Sequence, residues 1–261
     1  MPAKKILKDA TNNGLRSGSK KLPKRAVSNG NLNFDMLHAD SMVKTQVSDS
    51  KLVGERRSQL VLTAIELFSR KGYHATTVKE IADLARVSPG LVYQYFEDKE
   101  DILFLSLQVV VHSINRVIPP AIDGVEHPVT KFAVAFIEYC NIVDKNRQAV
   151  ELTYRETKSL NSEYRNALKG METTTNSIIK VCLDECVRRK YMRDVNMEIF
   201  VYQVILAAQT WALKHWRLSS MTTAQEYTRT QLDFLLNAVL TKSGWNSYLN
   251  DVAVHPHAQL G

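Results

Sequence analysis

Several residue types are scarce in this chain of 261 residues, and their scarcity excludes whole classes of protein. The chain contains 10 Gly and 7 Pro, too few for a collagen-like or low-complexity protein and few for an all-β protein with many tight turns. Its 3 Cys are an odd number in a long chain, which argues against a disulfide-held secreted scaffold. No run of about 20 apolar residues predicts a membrane span, and the polar N-terminus predicts no signal peptide. We therefore expect a cytoplasmic protein with no membrane partner.

The sequence also lacks the residue arrangements that usually carry catalysis. It contains no Gly-rich phosphate loop, no HExxH motif and no Ser, His and Asp arrangement of a hydrolase. Cys182 and Cys186 share a helix face, but two thiols without a nearby His or third Cys make an incomplete metal site. Buried apolar thiols explain them better. We predict that the protein is not an enzyme and needs neither a metal nor a cofactor.

The formal net charge of +7 is concentrated at the N-terminus. Residues 1–54 hold ten Lys or Arg against four Asp or Glu, a net charge of +6, and show no helical or alternating apolar period. We predict that this segment is a basic, disordered extension. Two interpretations stay open: an arm that attracts DNA phosphates, or a solubilising or upstream stretch with no role in binding.

From Arg56 onward, apolar residues recur at helical spacing. They predict a first helix over about 55–71, which Gly72 ends as a C-cap. A second helix begins at Thr77, where Glu80 completes a capping box. The apolar residues of this second helix follow the spacing i, i+3, i+4 and i+7, so one of its faces is expected to be buried.

A short third helix follows a three-residue break. Ser88 is its predicted N-cap, Pro89 occupies the first helical position, and the helix ends near Phe96. Asp98 then caps a longer fourth helix. Two short helices joined by a three-residue turn, and packed on a preceding helix, indicate a helix-turn-helix unit.

The remainder of the chain is also predicted to be helical. Breaks rich in Asn, Asp, Pro, Ser or Thr separate helices near 128–144, 147–158, 161–190, 196–218 and 223–241. No window shows the alternation of a strand, and the polar residues 242–261 are expected to form a flexible tail. The predicted fold class is all-α, with a three-helix helix-turn-helix domain over 55–100 and a second helical domain over 101–241.

Short motifs in a fixed order run through residues 55–105. In chain order they are Ala64-Ile65-Glu66-Leu67-Phe68, Lys71-Gly72-Tyr73, Thr76-Thr77-Val78, Ile81-Ala82, Val87-Ser88-Pro89-Gly90, Tyr93, Tyr95-Phe96, Lys99-Glu100 and Leu103. Together they resemble the DNA-binding domain of the TetR/AcrR family of transcriptional repressors. The later helices are similar to that family in number and length only. The resemblance implies a homodimeric regulator that binds a palindromic double-stranded DNA operator and is released by a small-molecule effector.

The candidate DNA contacts lie on the second and third helices and at the start of the fourth. Gly90 lacks a Cβ atom, so the N-terminus of its helix can approach the duplex closely. Gln94 can pair with adenine, whereas Tyr hydroxyls and Lys99 more often reach phosphate. Tyr95 is alternatively a packing residue, and Thr77 is a cap whatever else it does. The full predicted set is Thr76, Thr77, Ser88, Pro89, Gly90, Tyr93, Gln94, Tyr95 and Lys99.

The resemblance also implies an effector pocket in the second helical domain. Aromatic side chains with a few polar groups can enclose a largely apolar ligand. Residues 154–160 are similar to family members that sense acyl-CoA thioesters. The CoA phosphates would need cations, which Arg147, Arg155, Lys158 or Arg165 could supply. For any single residue, an ordinary place in the core or in solvent is the alternative. The predicted effector-binding residues are Phe136, Tyr139, Cys140, Tyr154, Arg155 and Trp211.

The predicted dimer interface consists of the helices over 196–218 and 223–241. By resemblance these two helices pair with their counterparts in a second copy, and Ala207, Ala208 and Ala212 would let helices approach closely. The alternative is an ordinary core within one chain. A second functional hypothesis is an all-helical small-molecule-binding or interaction protein that no longer reads DNA.

Overall fold

The computed structural model describes residues 42–254, which form helices joined by short connections. No strand occurs within this range; one isolated antiparallel bridge joins Met192 and Leu240. The all-α fold class is therefore confirmed. The helices are α1 (Ser50–Lys71), α2 (Val78–Ala85), α3 (Pro89–Tyr95), α4 (Lys99–Ile122), α5 (Pro128–Lys145), α6 (Arg147–Glu156), α7 (Ser162–Arg188), α8 (Met197–Leu213), α9 (His215–Leu218), α10 (Ala224–Val239) and α11 (Lys242–Val254). A 3₁₀ turn (Thr157–Ser159) follows α6.

Side-chain caps begin the helices of the N-terminal unit where the sequence predicts them. Thr77 and Glu80 form both hydrogen bonds of a capping box at α2. Ser88 accepts from the Leu91 N–H at α3, and Asp98 caps α4. Because each cap satisfies N–H groups that have no partner inside the helix, local sequence is enough to set these helix starts.

Helix α4 is the central helix of the bundle and packs against α1, α5, α6 and α7. Its side chains from Ile102 to Leu105 are fully buried. Among the described residues it is also the one helix long and apolar enough to cross a membrane, but 72% of its apolar window is buried inside the chain. Its apolar composition is therefore explained by its central place in the core.

Two segments that the sequence predicts to be loosely ordered are structured. Residues 42–49 pack against the N-terminal unit, with Val43 buried, and α1 begins at Ser50. The predicted boundary at residue 54 is therefore too late, and residues 1–41 of the predicted extension lie outside the described residues. Hydrogen bonds to α3 hold this segment, so it needs no periodic apolar face.

The prediction of a flexible tail from residue 242 is wrong for residues 242–254, which form α11. This helix packs on α5, where Ser247 bonds the His127 ring and Asp251 accepts from the Thr130 hydroxyl. Trp245, Tyr248 and Val252 follow one another at i, i+3 and i+7 and pack on the core, so apolar and polar contacts together hold α11. Residues 255–261 of the predicted tail lie outside the described residues.

Candidate DNA-binding surface and effector region

Helix α3 presents one face to solvent and buries the other. Val92 and Phe96 lie in the core, and Tyr93 and Gln94 are exposed, with 48% of Tyr93 accessible. An added Cβ at Gly90 would meet no atom within 4 Å, so the N-terminal end of α3 is open. Six predicted DNA contacts are exposed, one at the start of α2 and five at the start of α3 or along it: Thr77, Ser88, Pro89, Gly90, Tyr93 and Gln94.

Burial removes the side chains of Thr76 and Tyr95 from the candidate DNA contacts. Only 2% of Tyr95 is accessible, because it lies on the same face of α3 as Val92. Thr76 is 1% accessible, and its hydroxyl donates to the Gly72 carbonyl at 2.8 Å. Both predictions are therefore corrected: Tyr95 is a packing residue, and Thr76 closes the turn after α1.

Thr77 remains exposed, but its hydroxyl is engaged in the capping box. It accepts from the Glu80 N–H at 3.2 Å and donates to Glu80 Oε2 at 3.0 Å. Hydrogen bonds from Lys71 and then Thr77 lower the pKa of Glu80 to about 2, so this carboxylate stays charged. Thr77 and Glu80 thus hold the start of α2.

Lys99 joins the start of α4 to the loop between α1 and α2. Its Nζ donates to the Tyr73 and Thr76 carbonyls at 2.9 Å each and lies 4.4 Å from the centre of the Tyr73 ring. Burial lowers the pKa of Lys99, and it raises the pKa of Tyr73 to about 12 with help from nearby carboxylates. An ammonium has three donors, so one donor of Lys99 is left for a phosphate.

Two of the predicted effector residues, Tyr139 and Tyr154, meet at a side chain that the sequence analysis missed. The Gln209 amide donates to Tyr139 Oη at 3.0 Å and accepts from the Tyr154 hydroxyl at 2.5 Å. Burial raises the pKa of both phenols, and the nearby carboxylate of Glu172 adds to the effect. This cluster of Tyr139, Tyr154, Gln209 and Glu172 joins α5, α6, α7 and α8, and its phenols stay neutral. We refer to it as the tyrosine cluster.

Trp211 and Cys140 lie on the side of α5 and α8 that meets α10. The indole Nε1 of Trp211 donates to Asp144 Oδ1 at 2.7 Å, and its ring packs on Tyr227 with centroids 5.3 Å apart. Burial raises the pKa of Cys140 to about 12, so its thiol is neutral. Phe136 is fully buried beside Phe132. The predicted effector residues on α5 and α8 are thus core positions as well as candidate ligand contacts.

Arg155 bonds groups outside the tyrosine cluster, and its role as an effector contact stays a prediction. Its Nη2 donates to the Phe68 carbonyl in the last turn of α1 at 2.7 Å, and its Nε bonds Glu156 at 3.0 Å. The side chain follows Tyr154 by one residue, about 100° around the helix, so the two reach different neighbours. Arg155 therefore links α6 to the C-terminal end of α1.

Part of α8 and α10 presents large apolar side chains to solvent. Ile199 is 60% accessible, and Tyr202 and Leu206 follow it at i+3 and i+7 on the same face of α8. Phe234 of α10, which the sequence analysis did not single out, is also 60% accessible. By contrast, Ala208 and Ala212 are fully buried within the chain, so they bring α8 close to its intrachain neighbours and not to a second copy.

The remaining thiols form no metal site in the part of the chain that the structure describes. Cys182 and Cys186 are buried in the core, and burial raises the pKa of Cys186 to about 12. No group of three or more His, Cys, Asp or Glu side chains within residues 42–254 is arranged to hold a metal ion. The prediction that these thiols are buried apolar side chains is confirmed.

A compact three-helix unit whose third helix exposes one face, followed by a larger helical bundle, is the architecture of a helix-turn-helix DNA-binding protein. The family model described as bacterial regulatory proteins, tetR family, matches residues 60–105. The HTH-type transcriptional regulator HbdR of Aromatoleum sp. (strain CIB) is 44% identical over 81% of this chain and 92% of its own length. The chain therefore belongs to the TetR family of transcriptional regulators. These are DNA-binding proteins and not enzymes, so the predicted absence of enzymatic activity is confirmed.

Two further relatives show how far the likeness extends. The HTH-type transcriptional repressor KstR2 of Mycobacterium tuberculosis (strain ATCC 25618 / H37Rv) is 25% identical over 74% of this chain and 96% of its own length. The crystal structure of AibR in complex with isovaleryl coenzyme A and operator DNA has a TM-score of 0.62 at 16% identity, covering 69% of this chain and 98% of AibR. At that identity, AibR supports the fold alone.

Proposed function

We propose that this TetR-family regulator is a cytoplasmic, homodimeric repressor that binds a palindromic operator and is released by a small, largely apolar effector. The observation that carries the proposal is the division of α3 into a buried face and an open face. The open face holds Gly90, Tyr93 and Gln94, which are the groups that a major groove can accept. The relative KstR2 is a transcriptional repressor, which supports repression as the proposed mode of regulation.

Each exposed group of α3 has a distinct proposed role at the operator. The Gln94 amide can pair with adenine in the major groove through two hydrogen bonds, which specifies a base. The Tyr93 hydroxyl suits a phosphate, and the bare backbone at Gly90 allows close approach at the positive end of the helix. Lys99 adds at most one phosphate contact, because two of its donors hold carbonyls.

Gel-shift titrations against DNA from upstream of the protein's own gene test this reading. Gln94→Ala should relax discrimination at one symmetric pair of operator positions by about 1–3 kcal/mol per half-site. Gly90→Leu should weaken operator binding because its side chain would stand between helix and duplex. Gln225→Ala, an exposed glutamine on α10, is the matched control and should bind normally. Normal operator binding by both α3 variants would contradict the proposal, because another element would then read the operator. No preference of the unmodified protein for its upstream DNA would instead favour a ligand-binding protein that does not read DNA.

The proposed dimer uses the exposed apolar face of α8 and α10. Ile199, Tyr202, Leu206 and Phe234 form an apolar surface that a second copy covers with the same residues, as two-fold symmetry requires. Covering one such side chain fully is worth about 1.5–3 kcal/mol, so partial cover of four per subunit favours association. A palindromic operator needs two reading heads related by a two-fold axis, which such a dimer supplies.

Sedimentation velocity tests the proposed dimer. Leu206→Glu and Phe234→Glu place a carboxylate in the apolar face and should convert the dimer to a monomer at micromolar concentration. Leu249→Glu, which also changes an exposed apolar residue but on α11, should leave the dimer intact. If all three variants sediment like the unmodified protein, the interface lies elsewhere.

The proposed effector site is the tyrosine cluster and the core around it. Two neutral phenols and an amide can orient the polar end of a ligand whose apolar part lies among aromatic side chains. An acyl-CoA thioester fits this description, and AibR has been solved with isovaleryl coenzyme A. Since Arg155 is engaged with α1, Lys158, which is exposed in the 3₁₀ turn after α6, is the cation proposed for the CoA phosphates.

Thermal unfolding with isovaleryl-CoA, acetyl-CoA and free CoA tests the effector class. A thioester that binds only the folded protein, present at a concentration of about 100 times its Kd, should stabilise the protein by about 2.7 kcal/mol and raise its Tm. Tyr154→Phe should reduce this gain because it removes the hydroxyl that bonds Gln209. If none of the three compounds raises Tm, the effector belongs to another chemical class.

A further inference from the structure

The segment before α1 lies against the C-terminal end of the recognition helix α3. We call residues 42–48 the brace segment. The Gln46 N–H donates to the Gln94 carbonyl at 2.9 Å, and the Thr45 hydroxyl donates to the same carbonyl at 3.0 Å. The Gln46 side chain also reaches the Tyr93 carbonyl at 3.4 Å. The brace segment therefore bonds the backbone of the two residues whose side chains face the operator in the proposed function.

Helix α3 needs such donors because it is short. It has seven residues, and the last carbonyls of any helix have no partner within it. No basic side chain lies in its last turn, and the chain leaves it in an extended conformation at Phe96. The brace segment supplies donors at Tyr93 and Gln94, where the helix itself offers none.

Arg57 completes this arrangement from α1. It is 1% accessible, and its guanidinium donates to the Val43 carbonyl at 2.6 Å, the Lys44 carbonyl at 3.1 Å and the Tyr95 carbonyl at 3.3 Å. A buried charge is stable only with such partners, and a planar guanidinium can bond several carbonyls at once. Arg57 therefore ties α1, the brace segment and the end of α3 together.

Tyr164 of α7 contacts the beginning of the brace segment from the second domain. Its hydroxyl donates to Asp101 Oδ1 at 2.5 Å and lies 3.4 Å from the Met42 carbonyl. Asp101 Oδ2 accepts from the Glu97 N–H at 2.7 Å, in the turn that follows α3. The Tyr164 ring stacks on Phe104 of α4 with centroids 4.1 Å apart, which holds the phenol in place.

From these contacts we infer that the brace segment is a working part of the DNA-reading unit. With Arg57 it holds the C-terminal end of α3 in the position that presents Tyr93 and Gln94, and Tyr164 anchors the beginning of the segment to α7. Thr45, Gln46, Arg57 and Tyr164 are thus positioning residues for operator recognition. The inference rests on the proposed function, since it takes α3 as the DNA reader.

Two substitutions at position 46 in the full chain separate the backbone bond from the side chain. Gln46→Pro removes the N–H that reaches Gln94 and should weaken operator binding about tenfold, the size of one or two lost hydrogen bonds. Gln46→Ala keeps that N–H and should bind the operator within about twofold of the unmodified protein. Non-specific DNA affinity should be the same for both variants, because phosphate contacts are left in place. Equal operator affinity of both variants and the unmodified protein would overturn the inference.

A second pair tests the Thr45 hydroxyl without changing the backbone. Thr45→Val has nearly the same shape but no hydroxyl, and it should lower the ratio of operator to non-specific affinity by about fivefold. Thr45→Ser keeps the hydroxyl but loses the methyl group, so the ratio should stay at the value of the unmodified protein. If the side chain served only packing, loss of the methyl group would lower the ratio instead. If Thr45→Ser lowers the affinity ratio as much as Thr45→Val does, Thr45 is a packing residue and not a positioning residue.

Hydrogen exchange of the Gln46 amide, measured on the free protein, tests the Tyr164 anchor without DNA. Tyr164→Phe keeps the ring on Phe104 and should speed exchange at Gln46 several-fold while amides within α7 keep their protection. Unchanged protection at Gln46 would overturn the anchoring role. This measurement needs no operator, so it tests the anchor independently of DNA binding. If the unmodified protein shows no preference for its upstream DNA, that result contradicts the proposed function and leaves the hydrogen-exchange test unaffected.

Discussion

Substitution of Lys99 distinguishes most clearly between a structural role of a residue and a contact with DNA. The sequence resemblance predicts a phosphate contact, whereas the structure has its ammonium bonded to the Tyr73 and Thr76 carbonyls and placed over the Tyr73 ring. Both carbonyls belong to buried residues. Lys99→Ala would therefore remove a charged donor from acceptors that water reaches poorly.

The size of the effect follows from these contacts. Hydrogen bonds to a charged group contribute about 1.5–3 kcal/mol each, and a cation over a ring adds about 0.5–1 kcal/mol at accessible sites. Because Lys99 is only partly buried, water replaces some of this, and we expect a net loss of about 2 kcal/mol. In a chain of this size that lowers Tm by about 4–8 °C.

Urea and thermal unfolding at one fixed protein concentration provide the assay, with operator and non-specific titrations beside them. Lys169→Ala is the matched control, since it removes one exposed positive charge on α7 and should stay within about 0.5 kcal/mol of the unmodified protein. Lys99→Ala should weaken binding to all DNA sequences together, through the loss of charge and of the held loop. If Lys99→Ala unfolds like the unmodified protein while the salt slope of binding falls by about one unit, the residue is a phosphate contact and the structural role is refuted.

Two further predictions concern α11. Gly244→Ala would place a Cβ atom 2.1 Å from the Tyr191 carbonyl oxygen, so we expect the free energy of unfolding in urea to fall by about 1–3 kcal/mol. The control Gly170→Ala has open space around it and should raise the free energy of unfolding by about 0.4–1 kcal/mol. Equal effects of the two substitutions would contradict this packing of α11. Burial lowers the pKa of His127 against the opposing pull of Asp251, so below the ordinary value of 6.5 the unfolded chain binds more protons and stability should fall as pH decreases. His127→Gln should remove that part of the pH dependence, and an unchanged slope between pH 7 and pH 5 would show that His127 is not its source.

Local signals in the sequence determine the reading unit of this protein. In each of the caps at Thr77, Ser88 and Asp98, the bonded residues lie within three positions of the capping residue. The spacing of apolar residues predicts which face of each helix is buried. Of the three residues predicted to project from α3, Tyr93 and Gln94 are exposed, whereas Tyr95 is buried. Because these features depend on near neighbours in the chain, the all-α class and the helix-turn-helix can be predicted without a structure.

Contacts between residues far apart in the chain depend on the tertiary structure and could not be predicted from the sequence. Arg155 reaches α1, 87 residues earlier, and Gln209 joins two tyrosines from other helices. The brace segment is held by hydrogen bonds to α3 and shows no apolar period that predicts burial, and Ser247 of α11 bonds His127, 120 residues earlier. A polar side chain offers donors and acceptors to whatever the fold brings near it, so its partner is set by the packing of helices and not by its own neighbours in the sequence.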